Sequence, residues 1–392
     1  MSWPIRIILP PESIPNIKWR RWAWGFFFIL SIMMLGSWLL RTTKIVVGLP
    51  FLEALLPLVI ILVGGYLVVL AFRIYYHGVS LSAMDGYMHD AQALQEQWTD
   101  WASKPVYILA NHFFLPTQIV LPDIMLGKLT DIAKGQALKF DVYDKTYTEE
   151  DLFNELLSSV RAKLKQLSST HTFDVIFTCE ENDISFSVFR ECWRGIGIDN
   201  KILGECYCYK NCHELIYEHV LNSEDNRVII VVSTRMDSQQ LSVVETTEFA
   251  SILLMAKDSR TSGGVSCGVM LRPMSCGKNI IEDEFIYMQT YQPEIMNAVR
   301  VYFSHFEQKD IASVSDVLRK KTSRENGVWE FDVYDLNMVL GQLGGEHYWL
   351  VISLLLYFSE EKKEPYFMVH NVGDQAVFNM IKPFDYQRES ES

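Results

Sequence analysis

Charge is missing from two stretches of this chain, Trp22–Leu40 and Ala54–Phe72, each 19 residues long. At about 1.5 Å per helical residue that length matches the hydrocarbon core of a bilayer. No small-residue cleavage site follows the first stretch, which starts after 21 residues that include Pro10, Pro11 and Pro15. A cleaved signal peptide is not expected, and a membrane hairpin over residues 1–77 is expected instead, with spans at about 22–40 and 54–72. Glu53, between Pro50 and Pro57, sits at the outer edge of the second span, where headgroups or water can solvate it.

The remainder lacks other things. No Gly/Ser linker or low-complexity run interrupts residues 100–385, and no solenoid period is present. The tail after Asp385 reads as disordered. Basic clusters of the kind that hold phosphate backbones are also missing. Residues 1–77 carry a net +5 within a chain of −13, which leaves −18 for the rest, so nucleic acid is not an expected partner. The nine histidines form no HExxH or comparable spacing, and no glycine-rich phosphate loop occurs; no metal and no cofactor is called. Gly263-Gly264 and Gly344-Gly345 read as turn glycines with positive φ.

What is present orders itself around the apolar runs. Arg6, Lys18, Arg20 and Arg21 precede the first span, and Arg41 and Lys44 lie between the two. The positive-inside rule then puts the N-terminus in the cytoplasm, and two spans return the soluble part to the same side. Seven cysteines, an odd number, fit a reducing compartment. Residues 78–102 read as an amphipathic juxtamembrane helix with Trp98 and Trp101 on one face. After it, strands (PVYILANHFF, FDVIFTC, RVIIVVS) alternate with helices, among them HYWLVISLLLYF and two near 293–307 and 310–320. FASILLMA and GVSCGVMLR read as a strand pair. Several strands are apolar on both faces, so the fold class is α/β, a sheet covered by helices.

The densest chemistry lies in ILGECYCYKNCHEL, where Cys206, Cys208 and Cys212 run from a strand end into a helix. A helix N-terminus stabilises a thiolate; the spacing is not that of a structural zinc site, and small buried hydrophobes remain an alternative. This segment resembles the strand and elbow that carry the nucleophile of the thiolase-like superfamily, which includes the β-ketoacyl synthases, and Cys208 falls at the nucleophile's place. FDVIFTCEENDISFSVFRECWRGIGIDN, RVIIVVSTRMDS and TEFASILLMAKDSRTSGGV resemble neighbouring blocks of the same family. GQLGGEHYWLVISLLLYF resembles its "GHxxGAxG" block. The resemblance implies a thiolase-like layered α/β domain over residues 103–385. It also exposes departures. Gln342 stands at the family's histidine, His347 sits where small residues are usual, and Ala250-Ser251 replace an acidic-glycine pair. The second histidine has no counterpart in 321–338, with His305 assigned to a helix.

WTDWASKPVYILANHFFLP is similar to a segment of bacterial type VI secretion accessory proteins of the lipase-adapter group. The two resemblances together imply a non-catalytic inner-membrane adapter that presents a pseudo-thiolase domain to a protein partner, such as a secretion effector or a component of the apparatus. Pairing of two copies edge to edge is implied as well. The alternatives are a membrane-bound acyl-transferase or condensing enzyme using Cys208, and a membrane-tethered ligand sensor.

Overall fold

A computed structural model gives the fold. It describes residues 3–5, 11, 13–42, 49–125, 133, 135–140, 148–178, 183–209, 213–236, 246–258, 266–322 and 329–384. The Gly263-Gly264 turn and the tail after Asp385 lie outside these residues, as does the side chain of Glu53. Contacts divide the chain into two units, Ile7–Gln97 and a second made of Met1–Arg6 with Trp98–Ser392.

The first unit is built from α1 (Trp19–Thr42) and most of α2 (Leu49–Ser103). Both helices are long and apolar enough to cross a membrane. They pack on each other through Tyr66, whose hydroxyl donates to the Trp22 carbonyl at 2.5 Å. The Tyr66 ring meets those of Trp22 and Phe26 at 5.9 and 5.7 Å, and Gly25 leaves room for it. The second apolar run and the juxtamembrane segment are one continuous helix, because no proline or cap intervenes after Pro57.

The larger unit repeats one pattern twice. Its first half runs β1 (Val106–Phe114), the short α3 (Leu121–Met125), α4 (Glu149–Leu167), β2 (Thr172–Phe177), α5 (Asp183–Gly195), β3 (Leu203–Cys208), α6 (His213–Asn222), β4 (Arg227–Arg235) and β5 (Phe249–Ala256). Its second half runs β6 (Gly268–Met270), β7 (Met274–Gly277), α7 (Ile281–Tyr291), β8 (Arg300–Ser304), α8 (Gln308–Thr322), β9 (Asp332–Asp335), α9 (Asn337–Leu340), α10 (Tyr348–Lys362), β10 (Tyr366–Val372) and β11 (Gln375–Lys382). The strand order is β3-β2-β4-β5-β1-β6-β11-β10-β8-β9, with β7 beside β11. It reads the same from either end once β6, β8, β9, β10 and β11 are matched to β1 to β5. In each half the three strands that lead into or out of helices are parallel, and the fifth strand runs against them. A pseudo-twofold axis therefore passes between β1 and β6, which pair antiparallel.

Strand alternation sorts the core into layers. On β4, Val228, Ile230 and Val232 meet α4 and α5, while Ile229 and Val231 meet α6 and α10. On β10, Phe367 and Val369 meet α7 and α8, while Tyr366 and Met368 face the centre. Helices α6 and α10 thus lie between the two halves of the sheet. Helix α10 is apolar all round, as that position demands: Tyr348 to Leu356 are all buried. Helix α4 is amphipathic and begins with a capping box, Thr148 Oγ1 accepting from the Asp151 amide at 3.2 Å.

Three expectations from the sequence differ. FASILLMA and the strand after it do not pair with each other, because β1 inserts between β5 and β6. Residues 300–304 form β8 instead of continuing a helix, since RVYFS is too short an apolar run for its period to decide. In the GQLGG loop the positive φ belongs to Gly341, at 80°, while Gly344 is extended. A Cβ on Gly341 would collide with the Gln136 carbonyl oxygen and lie 2.8 Å from Thr247 Oγ1.

Gly341→Ala is expected to lower the melting temperature of the domain by several degrees, about 1–3 kcal/mol of backbone strain plus the collision. Gly373→Ala, at φ 61° but with open space around it, is expected to cost clearly less. Thermal unfolding of the two variants measures the difference.

Candidate functional site

Among the described residues a cavity opens at the carboxyl ends of β8, β9 and β10, where parallel strands hand over to helices. Its volume is about 460 Å3, and His305, Asp335, Asn337, Gln342 and Asn371 contribute its polar wall. His305 follows β8 directly and holds φ at 60°, a conformation that an L side chain keeps only under constraint. Two asparagines supply that constraint. The His305 amide donates to Asn337 Oδ1 at 2.9 Å, and its carbonyl accepts from Asn371 Nδ2 at 2.9 Å. Asn337 is itself fixed, donating through Nδ2 to the Phe306 carbonyl and to Asp335 Oδ1.

The same grip sets the tautomer. His305 Nδ1 lies 2.7 Å from the Asn371 carbonyl, which can only accept, so Nδ1 carries the proton. Nε2 is left with its lone pair and has no hydrogen-bond partner among the described residues. An imidazole anchored through one nitrogen and open at the other is the arrangement of a general base or hydrogen-bond acceptor. Asn371 also lines the cavity, and its Oδ1 is buried without a hydrogen-bond partner among the described residues.

The remaining wall is the loop before α10. The Gln342 amide donates to the Gln136 carbonyl at 2.9 Å and its carbonyl accepts from Thr247 at 2.8 Å, leaving the side chain exposed at the cavity. His347 does not reach the cavity. Its Nε2–H donates to the Thr247 carbonyl at 2.7 Å and its Nδ1 accepts from the Gly344 amide at 3.0 Å. Both nitrogens are used, and burial holds its pKa down to about 4 against the pull of the Glu346 carboxylate. His370 is likewise spent: Nδ1 pairs with Ser304 Oγ at 2.6 Å and Nε2 faces the Gly345 carbonyl at 3.2 Å. His213 opens α6, with Nε2 at 2.8 Å from Ser275 Oγ, and burial lowers its pKa to about 3.

The cysteines fall on different faces. Cys208 is the last residue of β3. With Cys206 it packs, half-buried, against the α4 and α5 layer, while Tyr207 and Tyr209 turn toward the centre. Cys208 does not line the cavity. Residues 210–212 lie outside the described residues. The start of α6 does meet the loop before α10, since His213, Thr178, Gly345 and Glu346 line one small cleft. The thiols of Cys192, Cys267 and Cys276 are pushed up by burial to about 11, 11 and 12, which keeps them protonated at neutral pH. No group of three or more metal-ligating side chains occurs among the described residues.

The fold is similar to that of several solved structures. A glutamate-to-alanine variant of Xanthomonas campestris OleA with cerulenin bound matches over 73% of this chain and 98% of its own, at 9% identity and a TM-score of 0.50. The fold is thiolase-like. The tetronic acid condensing enzyme AbyA1 matches over 70% of this chain and 99% of its own, at 11% identity and a TM-score of 0.45. Human mitochondrial 3-ketoacyl-CoA thiolase with CoA bound covers 72% of this chain and 98% of its own, at 9% and 0.45. No family profile matches the sequence, and no curated protein matches it.

The expectation of a non-catalytic adapter with a pseudo-thiolase domain is therefore corrected. The fold is that of OleA, and a histidine, His305, stands on the wall of a cavity at the strand ends. His305 was assigned to a helix; β8 ends at Ser304 and delivers it to the cavity instead. Its sequence signal was weak, one histidine after a five-residue strand.

The buried histidines give the domain an acid limit. His213, His347 and His370 are all held neutral, with pKa values depressed by burial, whereas unfolding returns each to about 6.5. The unfolded state then binds more protons, so the stability they contribute is complete above about pH 6.5 and is lost as pH falls toward 4. The melting temperature is expected to drop steadily between pH 7 and pH 4.5, and less steeply in His370→Gln.

Proposed function

We propose that this chain is a membrane-bound acyl-transfer enzyme of the condensing type, acting on thioester substrates. His305 carries the reading: a tautomer-fixed imidazole with a free Nε2, in a cavity at the strand ends of a thiolase-like fold. In this scheme a cysteine thiolate attacks the thioester carbonyl and takes the acyl group, and the carrier leaves as a thiolate that water protonates. A carbanion or enolate of a second thioester then attacks the acyl-enzyme and returns the thiolate. His305 Nε2 would accept or share a proton at the second substrate. The Gln342 side-chain amide, at the family's histidine position, would donate through Nε2 to developing negative charge on oxygen.

The thiol belongs to the β3–α6 junction. Cys208 is the residue matched by the family resemblance, and Cys212 directly precedes α6, where a helix N-terminus would favour a thiolate. The membrane is proposed to be a bacterial inner membrane with the domain on its cytoplasmic side. The four positive residues ahead of the first span, against two between the spans, support that placement.

Incubation of the full chain in detergent with a radiolabelled acyl-CoA, followed by peptide mass spectrometry, is expected to place an acyl group within residues 206–212. Loss of label in Cys208→Ala assigns the thiol to the strand end, and loss in Cys212→Ala assigns it to the helix start. Label surviving both substitutions rejects the reading. His305→Ala is expected to lower turnover by about 10²–10⁴-fold while leaving the melting temperature within a few degrees of the parent.

A further inference from the structure

The chain begins before its membrane helices, yet two of its first residues are core residues of the soluble unit. Trp3 and Ile5 are 6% and 3% exposed and join the cluster formed by β6, β7, β11, α7 and α8. The Trp3 indole N–H donates to the Pro273 carbonyl at 2.9 Å. Its ring stands edge-on to Trp101, with centroids 5.6 Å apart.

Trp101 belongs to the last turn of α2, on the far side of both apolar runs. That turn is sewn to the same core. The Arg272 guanidinium lies 3.8 Å over the Trp101 ring, and its Nε donates to the Trp101 carbonyl at 3.0 Å. Gln292 Nε2 donates to the Ala102 carbonyl at 2.6 Å, and Ser103 Oγ donates to the Tyr291 carbonyl at 3.0 Å. Arg272 is itself ion-paired to Glu218 of α6. The segment that enters the hairpin and the turn that leaves it are thus neighbours in one packed body.

We propose that Trp3–Ile5 act as a clasp that fastens the N-terminus to the soluble unit beside Trp101. A chain that enters and leaves its spans from one folded body crosses the bilayer an even number of times. The N-terminus and the soluble unit then share one face of the membrane, and the hairpin is anchored at both ends. The clasp stands on packing alone and is independent of the proposed chemistry.

The test uses the full chain in sealed vesicles, with one protease site inserted between Glu12 and Lys18 and a second in the tail after Asp385. Both sites are expected to be cut from the same face, and cutting from opposite faces overturns the proposal. In detergent, Trp3→Ala is expected to speed cleavage at the N-terminal site by about tenfold or more and to lower the melting temperature by about 5 °C. Trp3→Phe, which keeps a ring against Trp101, is expected to recover most of both, and Trp24→Ala, in an exposed position on α1, is expected to change neither. If Trp3→Ala does not fold, Ile5→Ala is read the same way. Parental cleavage rate and melting temperature in the Trp3 or Ile5 variant overturn the clasp.

Discussion

One helix that is apolar on every side has to be buried between two halves of one sheet, and most of the soluble unit follows from that requirement. Helix α10 presents tyrosine, tryptophan, leucine, isoleucine and valine on every side, so it is stable only where sheet or helix covers each face. The two sheet halves supply that cover, and their outer faces then need α4 and α5 on one side and α7 and α8 on the other. Strands caught between two helical layers cannot alternate apolar with polar, which is why β4 and β10 read as continuous hydrophobic runs.

The same burial explains the chemistry at the helix starts. A polar side chain that enters this core has to be satisfied locally, and the histidines there show how. His347 and His370 each use both ring nitrogens on backbone or hydroxyl partners; they are structural fastenings between the GQLGG loop, β10 and the segment at Thr247. His305 differs because the strand ends open to a cavity on one side. Its backbone and Nδ1 are held as firmly as those of its neighbours, and its Nε2 is left for something else to meet.

Much of the architecture was legible in the sequence. The apolar runs, the buried strands FDVIFTC and RVIIVVS, and the all-apolar helix HYWLVISLLLYF each state their surroundings through periodicity. The resemblance of the Cys206–Cys212 segment and the GQLGG block to a thiolase-like fold led to the right class. What failed was local. Five residues of β8 carry too little pattern to be told from a helix, and that one error moved His305 off a strand end and out of view. The adapter reading drew on that loss together with Gln342 at the family's histidine position and the resemblance to secretion accessory proteins. Strand parity at Cys208, the insertion of β1 between β5 and β6, and the core seat of Trp3 depend on contacts between residues far apart in the chain, which no local pattern encodes.

The pseudo-twofold axis sets two sockets against each other. One residue past β8 stands His305, beside an open cavity; one residue past β2, at the matching place, stands Thr178, whose hydroxyl donates to Ser233 Oγ at 2.6 Å. In the first half a small hydroxyl pair sits at the end of β2, while in the second the end of β8 opens on an imidazole. The two copies thus carry different side chains at equivalent sockets, so the twofold repeat holds in the order of the strands and is broken in its chemistry.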